Sequence, residues 1–228
     1  MGVQLWVGLG NPGSKYAANR HNVGFMALER IAGDHGFPAF RSKFQGEVSE
    51  GRFGSERVML LRPGTFMNLS GQSVGEAMRF LKLDSTDITV FHDELDLAPF
   101  KLRLKSGGGH AGHNGLRSIH QHVGPHYDRV RIGIGHPGHK DRVAGYVLSD
   151  FARAEADALD DMLRGISDGA PRLAAGDGPG FLNDVALRTR PQRPSAPKTT
   201  RPDVAAAQTP ELPEPALSPL QKLAARFR

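Results

Sequence analysis

Over the first 187 residues the apolar positions switch repeatedly between a period of two and a period near 3.6. A short apolar run, Val3 to Val7, enters a polar, glycine-rich stretch from Gly8 to Gly24. Val23, Met26, Ala27, Ile31 and Ala32 then recur at helical spacing and predict a helix over residues 22–36, closed by Gly36-Phe37-Pro38. Residues 44–53 and 56–61 read as two strands around a hairpin at Phe53-Gly54-Ser55-Glu56. Val74, Ala77, Met78 and Leu81 predict a helix over residues 71–82. Ile88 to Phe91 is a buried-strand pattern whose end delivers His92-Asp93-Glu94-Leu95-Asp96. Strict alternation over residues 100–105 puts Leu102 and Leu104 on one face and Lys101, Arg103 and Lys105 on the other. A glycine-rich loop from Gly107 to Gly115, a helix over 116–123, a strand over 129–134 and helices over 151–175 and 180–188 complete the series. Strands alternating with helices predict a single-domain α/β layer fold, in which polar loops at strand ends share one cleft.

After Arg188 the pattern stops. This stretch holds eight of the chain's sixteen prolines and few large apolar residues before Leu217. Such a composition cannot bury enough surface to offset chain entropy, so residues 189–228 are expected to form a disordered tail beyond a domain of residues 1–188.

Charge adds a direction to this outline. The net charge of +5 lies entirely in the tail, and the first 187 residues balance to zero. Within them, residues 100–142 carry +6 and seven histidines, whereas residues 150–184 carry −5. A polyanion is steered toward the first segment and repelled by the second. The absence of cysteine excludes disulfides and thiolate chemistry. No apolar run is long enough to span a bilayer, and the start lacks a signal-peptide pattern, so a cytoplasmic protein is expected.

Several motifs admit two readings each. Gly8-x-Gly10-x-x-Gly13 fits a dinucleotide fingerprint, but Pro12 removes an amide that a pyrophosphate needs, and the helix starts well past the third glycine. Gly71-Gln72-Ser73-Val74-Gly75 fits a nucleophile elbow, yet Ser73-x-x-Glu76 also fits a capping box, and Ser70 is an equally good cap. His110 and His113 invite a metal reading without the spacing of a zincin helix, and Asp93, Glu94 and Asp96 invite Mg²⁺. Lys101, Arg103 and Lys105, with Arg131 on a second strand, are a solvated face or a phosphate-binding one. Asn11, Asn68 and Asn114 fall in three separate loops. Beside His21 and Asp93 they would supply neutral donors around one imidazole, which suits hydrolysis by activated water.

The motifs G-L-G-N-P-G-x-x-Y-x-x-x-R-H-N-x-G, P-G-T-F-M-N-L-S-G, H-D-E-L-D, G-G-G-H-A-G-H-N-G-L and R-I-G-I-G-H-P-G, in this order across residues 3–187, resemble bacterial-type peptidyl-tRNA hydrolases. The resemblance implies a twisted mixed β-sheet with helices on both faces, a three-layer α/β/α domain. It implies hydrolysis of the ester between a peptide and the 3′-terminal ribose of tRNA by a monomer that needs no cofactor or metal. On the same basis His21 is the general base, Asp93 orients it, and Asn11 tells N-blocked from free aminoacyl-tRNA. Tyr16, Phe66, Asn68 and Asn114 then hold the peptide and the terminal nucleotides, and Lys105 and Arg131 clamp the 5′-phosphate. The acidic helix at 150–175 is expected to lie away from the RNA or to act as a lid. Two other classes stay open: an RNA-binding module without catalysis, and a serine esterase acting through Ser73.

Overall fold

Seven strands form one mixed sheet in the computed structural model, which describes residues 2–190. The expected tail from residue 191 onward lies outside the described residues. In chain order the elements are β1 (Val3–Gly8), α1 (Val23–Asp34), β2 (Arg41–Lys43), β3 (Gly46–Phe53), β4 (Glu56–Pro63), α2 (Ser70–Leu81), β5 (Ile88–Glu94), β6 (Leu102–Ser106), α3 (Asn114–Val123), β7 (Asp128–Gly133), α4 (Val143–Val147), α5 (Ala156–Ala174) and α6 (Gly178–Arg188). The sheet order is β2-β3-β4-β1-β5-β7-β6. The central strands β4, β1, β5 and β7 run parallel, while β3, β2 and β6 join antiparallel at the edges.

The period of two along the central strands separates two buried cores rather than core from solvent. Trp6, Val58, Leu60, Phe91, Val130 and Ile132 pack against α1, α5 and α6. Leu5, Val7, Met59, Leu61, Ile88 and Val90 pack against α2 and α3. A sheet covered on both faces reads as a near-continuous apolar run, which is how Val3–Val7 and Ile88–Phe91 look in the sequence. The three-layer α/β/α arrangement follows from these two cores.

From β1 the chain first builds β4 on one side and later β5 on the other. The C-terminal end of β1 is therefore the point where the strand order reverses, and loops diverging there leave a crevice. Leu9 extends the pairing by donating its N–H to the carbonyl of Phe91 at 2.9 Å. That contact sets the loop after β1 beside the end of β5, two residues before Asp93.

Gly8 and Gly10 serve this close approach rather than a nucleotide. A Cβ on Gly8 would meet the backbone of Gly24 at 2.5 Å, and one on Gly10 the ring of Phe25 at 2.7 Å. Of the three fingerprint glycines only Gly13, at φ 102°, uses the left-handed region. Gly24 is the tightest point of the junction, where a Cβ would fall 2.3 Å from the carbonyl oxygen of Phe91. Backbone cannot yield as a side chain can, so Gly24→Ala should destabilise the domain by ~1–3 kcal/mol or more. A denaturant midpoint shifted down at unchanged slope is the expected result.

Three sequence expectations change. The chain enters α2 through a 3-10 turn at Met67–Leu69, so the helix starts before Ser73. Ser73 is fully buried in mid-helix and neither caps it nor reaches a substrate. Ser70 is the first helical residue, and its hydroxyl donates to the Met67 carbonyl at 2.9 Å. This removes the serine esterase. The acidic helix is no lid, because Met162, Ile166 and Ala170 of α5 are fully buried against the sheet. Finally, β2 and α4 are short elements, and neither presents a full period to the sequence pattern. Among the described residues no helix is long and apolar enough to cross a membrane.

Candidate active site

His21 lies in a 3-10 turn, Arg20–Asn22, that leads directly into α1. Its neighbours hold the turn in place. Arg20 is buried, with its guanidinium 4.7 Å from the centre of the Tyr146 ring and ion-paired to Glu155 at 2.5 Å. Asn19 donates from Nδ2 to Asp150 at 2.7 Å. The His21 turn is thus tied to the segment that follows α4, and α4 itself lines the cleft through Val143, Ala144 and Val147.

Asp93, near the end of β5, is the centre of the cluster. His21 Nδ1 lies 2.9 Å from both carboxylate oxygens, and His113 Nε2 lies 2.9 Å from Oδ1. The two imidazole rings are 5.0 Å apart between centres. Burial drives the Asp93 carboxyl upward, but the charge and hydrogen bonds of His21 and His113 hold it well below the ordinary carboxylate range. Burial likewise pulls His21 down, and the Asp93 charge and hydrogen bond reverse this, leaving it raised. His92, fully buried next in sequence, is lowered to about 3 by burial and by His113 and stays neutral. Its Nδ1 donates to the Asp93 carbonyl at 2.7 Å.

His113 was passed over as one half of an H-x-x-H pair, and its role comes from the fold. It is the N-cap of α3, with Nδ1 accepting from the backbone N–H of Gly115 at 3.1 Å and of Leu116 at 3.3 Å. An Nδ1 that accepts carries no proton, so Nε2 carries it and donates to Asp93. The capping histidine thereby spans from a helix start to the Asp93 carboxylate. The one local signal for it was a polar residue before an apolar run.

The asparagines take three different positions. Asn11 is buried, with its Oδ1 accepting from the Met67 N–H at 2.9 Å. Its own backbone is gripped twice by Asn22, whose Oδ1 accepts from the Asn11 N–H and whose Nδ2 donates to the Asn11 carbonyl, each at 2.9 Å. With its oxygen committed, the Asn11 side chain keeps its amide nitrogen as a donor. Asn114, the first residue of α3, is exposed and lines a cleft of about 480 Å³ together with His21, His92, Asp93 and His113. Asn68 is exposed in the 3-10 turn next to Met67. Beside it Phe66 is 55% exposed, while Tyr16 is partly buried with Lys15 Nζ 4.8 Å from its ring centre. Asn11 lines not the His21 cleft but a larger groove of about 910 Å³ reaching β2 and Arg62.

The basic face forms as the alternation predicts. Lys101, Arg103 and Lys105 are exposed, and Leu102 and Leu104 pack on the core. In register, Arg103 lies opposite Arg131 and Lys105 opposite Arg129. Like charges directly across a strand pair are unfavourable in themselves, and a bound anion would relieve them. Arg131 is not wholly free, since its Nε donates to Glu94 at 2.8 Å, which leaves both Nη groups for a ligand.

A family model described as peptidyl-tRNA hydrolase matches residues 5–191. The chain belongs to this family. A peptidyl-tRNA hydrolase of Ruegeria pomeroyi is 65% identical, with 99% of this chain and 100% of that protein aligned. One of Paracoccus denitrificans is 69% identical over 96% of this chain and 92% of that protein. The crystal structure of peptidyl-tRNA hydrolase from Acinetobacter baumannii is 43% identical and superposes with a TM-score of 0.75, covering 80% of this chain and 94% of that one. The family model stops at 191, whereas the Ruegeria alignment continues through the segment beyond it.

The ligand atoms of His21, Asp93 and His113 lie within 4.8 Å of one another, close enough to surround a cation. The donor chemistry opposes it. To bind a metal through Nε2, a neutral His113 would need its proton on Nδ1, where the amides of Gly115 and Leu116 already point. Glu94 is engaged by Arg131, and among the described residues neither it nor Asp96 joins the His21, Asp93 and His113 group.

Proposed function

We propose that the family's reaction, hydrolysis of the ester joining a peptide to the 3′-terminal ribose of tRNA, runs on His21 as general base without a metal. The observation that carries this reading is the Asp93 carboxylate at 2.9 Å from His21 Nδ1. It fixes the proton on Nδ1 and leaves Nε2 as the base facing the cleft. Nε2 takes a proton from water as the water oxygen attacks the ester carbonyl. Asp93 stabilises the resulting imidazolium. When the tetrahedral intermediate collapses, the bond to the ribose oxygen breaks and the imidazolium returns the proton to that oxygen. Of the three asparagines, Asn114 lines the cleft with His21 and is the carboxamide donor that would face the developing oxyanion, and His113 acts on the reaction by positioning Asp93.

Asn11 discriminates by the sign of what it offers. Its amide nitrogen suits the carbonyl of a blocking peptide group, whereas a free α-ammonium brings donors against a donor. Tyr16 and Phe66 supply rings for the terminal bases. Lys105 and Arg131 hold the 5′-phosphate. No step calls on a second copy of the chain, and a substrate made by ribosomes places the reaction in the cytoplasm.

Release of tRNA from N-acetylaminoacyl-tRNA should proceed in a chelator, with unblocked aminoacyl-tRNA resistant. Loss of turnover on chelation would refute the metal-free mechanism. The clamp has its own test. Lys105→Ala with Arg131→Ala should weaken tRNA binding and flatten its dependence on salt, with a much smaller effect on a short N-acetylaminoacyl ester. Equal losses on the two substrates would contradict it.

A further inference from the structure

Arg129 is the one basic residue of the cationic face that is turned inward. It is 3% exposed, and its partners among the described residues are two carbonyls and an imidazole rather than a carboxylate. Nη1 donates to Gly109 O at 2.8 Å, and Nη2 donates to Gly108 O and to His120 Nε2, the latter at 3.1 Å. The guanidinium also lies 5.0 Å from the centre of the buried Tyr127 ring. His120 is lowered by burial and by Arg129, which keeps its Nε2 an acceptor. A buried guanidinium is costly to desolvate, and a fork of this kind holds two carbonyls in one orientation as no apolar residue could.

The orientation has a consequence on the outer side of the loop. In a trans peptide the N–H points opposite to the C=O, and the chain has no cis bond among the described residues. With the Gly108 and Gly109 carbonyls drawn inward to Arg129, the N–H groups of Gly109 and His110 point outward. Neither has a backbone partner among the described residues. Gly108, at φ 88°, is left-handed while Gly109 and His110 after it are not, an alternation of hand that turns successive amides toward one concave face. Lys105 lies against this loop, since a Cβ on Gly108 would fall 2.9 Å from its Nζ.

Resting on the hydrolase reading above, we infer that the Gly109 and His110 amides form, with Lys105, a phosphate-binding nest for the 5′-terminal phosphate of tRNA, held open from behind by Arg129 as its positioning residue. The nest adds a backbone component to the side-chain clamp. The same loop ends in His113 and Asn114, so a phosphate seated in it also registers the substrate against the cleft.

The test uses the full chain and acceptor-stem microhelices with a 5′-phosphate or a 5′-hydroxyl, and inorganic phosphate as a third probe. In amide NMR spectra of the unaltered protein, the Gly109 and His110 signals should shift with the phosphorylated microhelix and not with the hydroxyl form. Inorganic phosphate should move the same two signals at higher concentration. Arg129→Lys keeps the charge and loses the fork. It should cut affinity for the phosphorylated RNA about tenfold, spare the other RNA, and act on KM more than on kcat. Silent Gly109 and His110 amides, or equal losses on both RNAs, would overturn the nest. If the unaltered protein ignores the 5′-phosphate altogether, the clamp itself fails, a result distinct from a clamp that works without Arg129.

Discussion

His21→Ala is expected to lower kcat for N-acetylaminoacyl-tRNA by roughly 10²–10⁴, the usual worth of a positioned general base. Neither of the imidazoles packed around Asp93 can take its place. The Nε2 of His113 already donates to Asp93, and His92 is sealed beneath with its Nδ1 bound to the Asp93 carbonyl. The pH dependence carries a second signature. A base must be neutral, and Asp93 raises His21 above its ordinary value, so the acid limb of kcat should lie above ~6.5. Stability follows the opposite sense. A raised imidazole pKa stabilises the fold fully below the unfolded value and loses that contribution as pH rises through the folded one. The stability gap between wild type and His21→Ala should therefore be largest near pH 6 and shrink in alkaline buffer. Turnover within a few-fold of wild type would reject His21 as the base.

What the sequence could show about this site depended on how local each signal was. The central strands were legible because burial on both faces made them continuous apolar runs, and the basic face of β6 because alternation is a property of five consecutive residues. The glycines of the first loop were misleading for a physical reason. A glycine required for close helix packing and one required for a phosphate look the same, and only the distances to Gly24 and Phe25 separate them. Ser73 misled in a similar way, since a capping pattern carries no mark of where the helix actually begins. His113 and Arg129 were missed because their partners lie 20 or 21 residues away, across a glycine loop whose path no period predicts. The stabilising interactions of a polar cluster are made between elements, so motif recognition found its members and the structure supplied their order. Asn22 is an example: it stands inside the first motif, but its grip on the Asn11 backbone appears only once the loop closes on itself.

Asp93→Asn should be at least as damaging as removing the base, with a loss in kcat on the order of 10⁴, the size such an exchange has beneath other catalytic imidazoles. The carboxylate accepts from two N–H donors at once, His21 Nδ1 and His113 Nε2. A carboxamide has one oxygen; in the Oδ1 position it stays with His113, and the NH₂ in the Oδ2 position then stands against His21 Nδ1. His113 cannot give way, because the Gly115 and Leu116 amides hold its Nδ1 as an acceptor and so keep the proton on Nε2. His21 has no such restraint. It yields by moving its proton from Nδ1 to Nε2, and the nitrogen that should accept from water then carries a proton. Any activity that remains should show its acid limb displaced to lower pH, since burial alone now acts on His21. The argument also predicts a rescue. Adding His113→Ala to Asp93→Asn releases the carboxamide oxygen to accept from His21 Nδ1, so the double variant should exceed the single one in kcat despite lacking one more residue of the cluster. A double variant as slow as Asp93→Asn, or slower, would mean that His113 does not dictate the tautomer of His21.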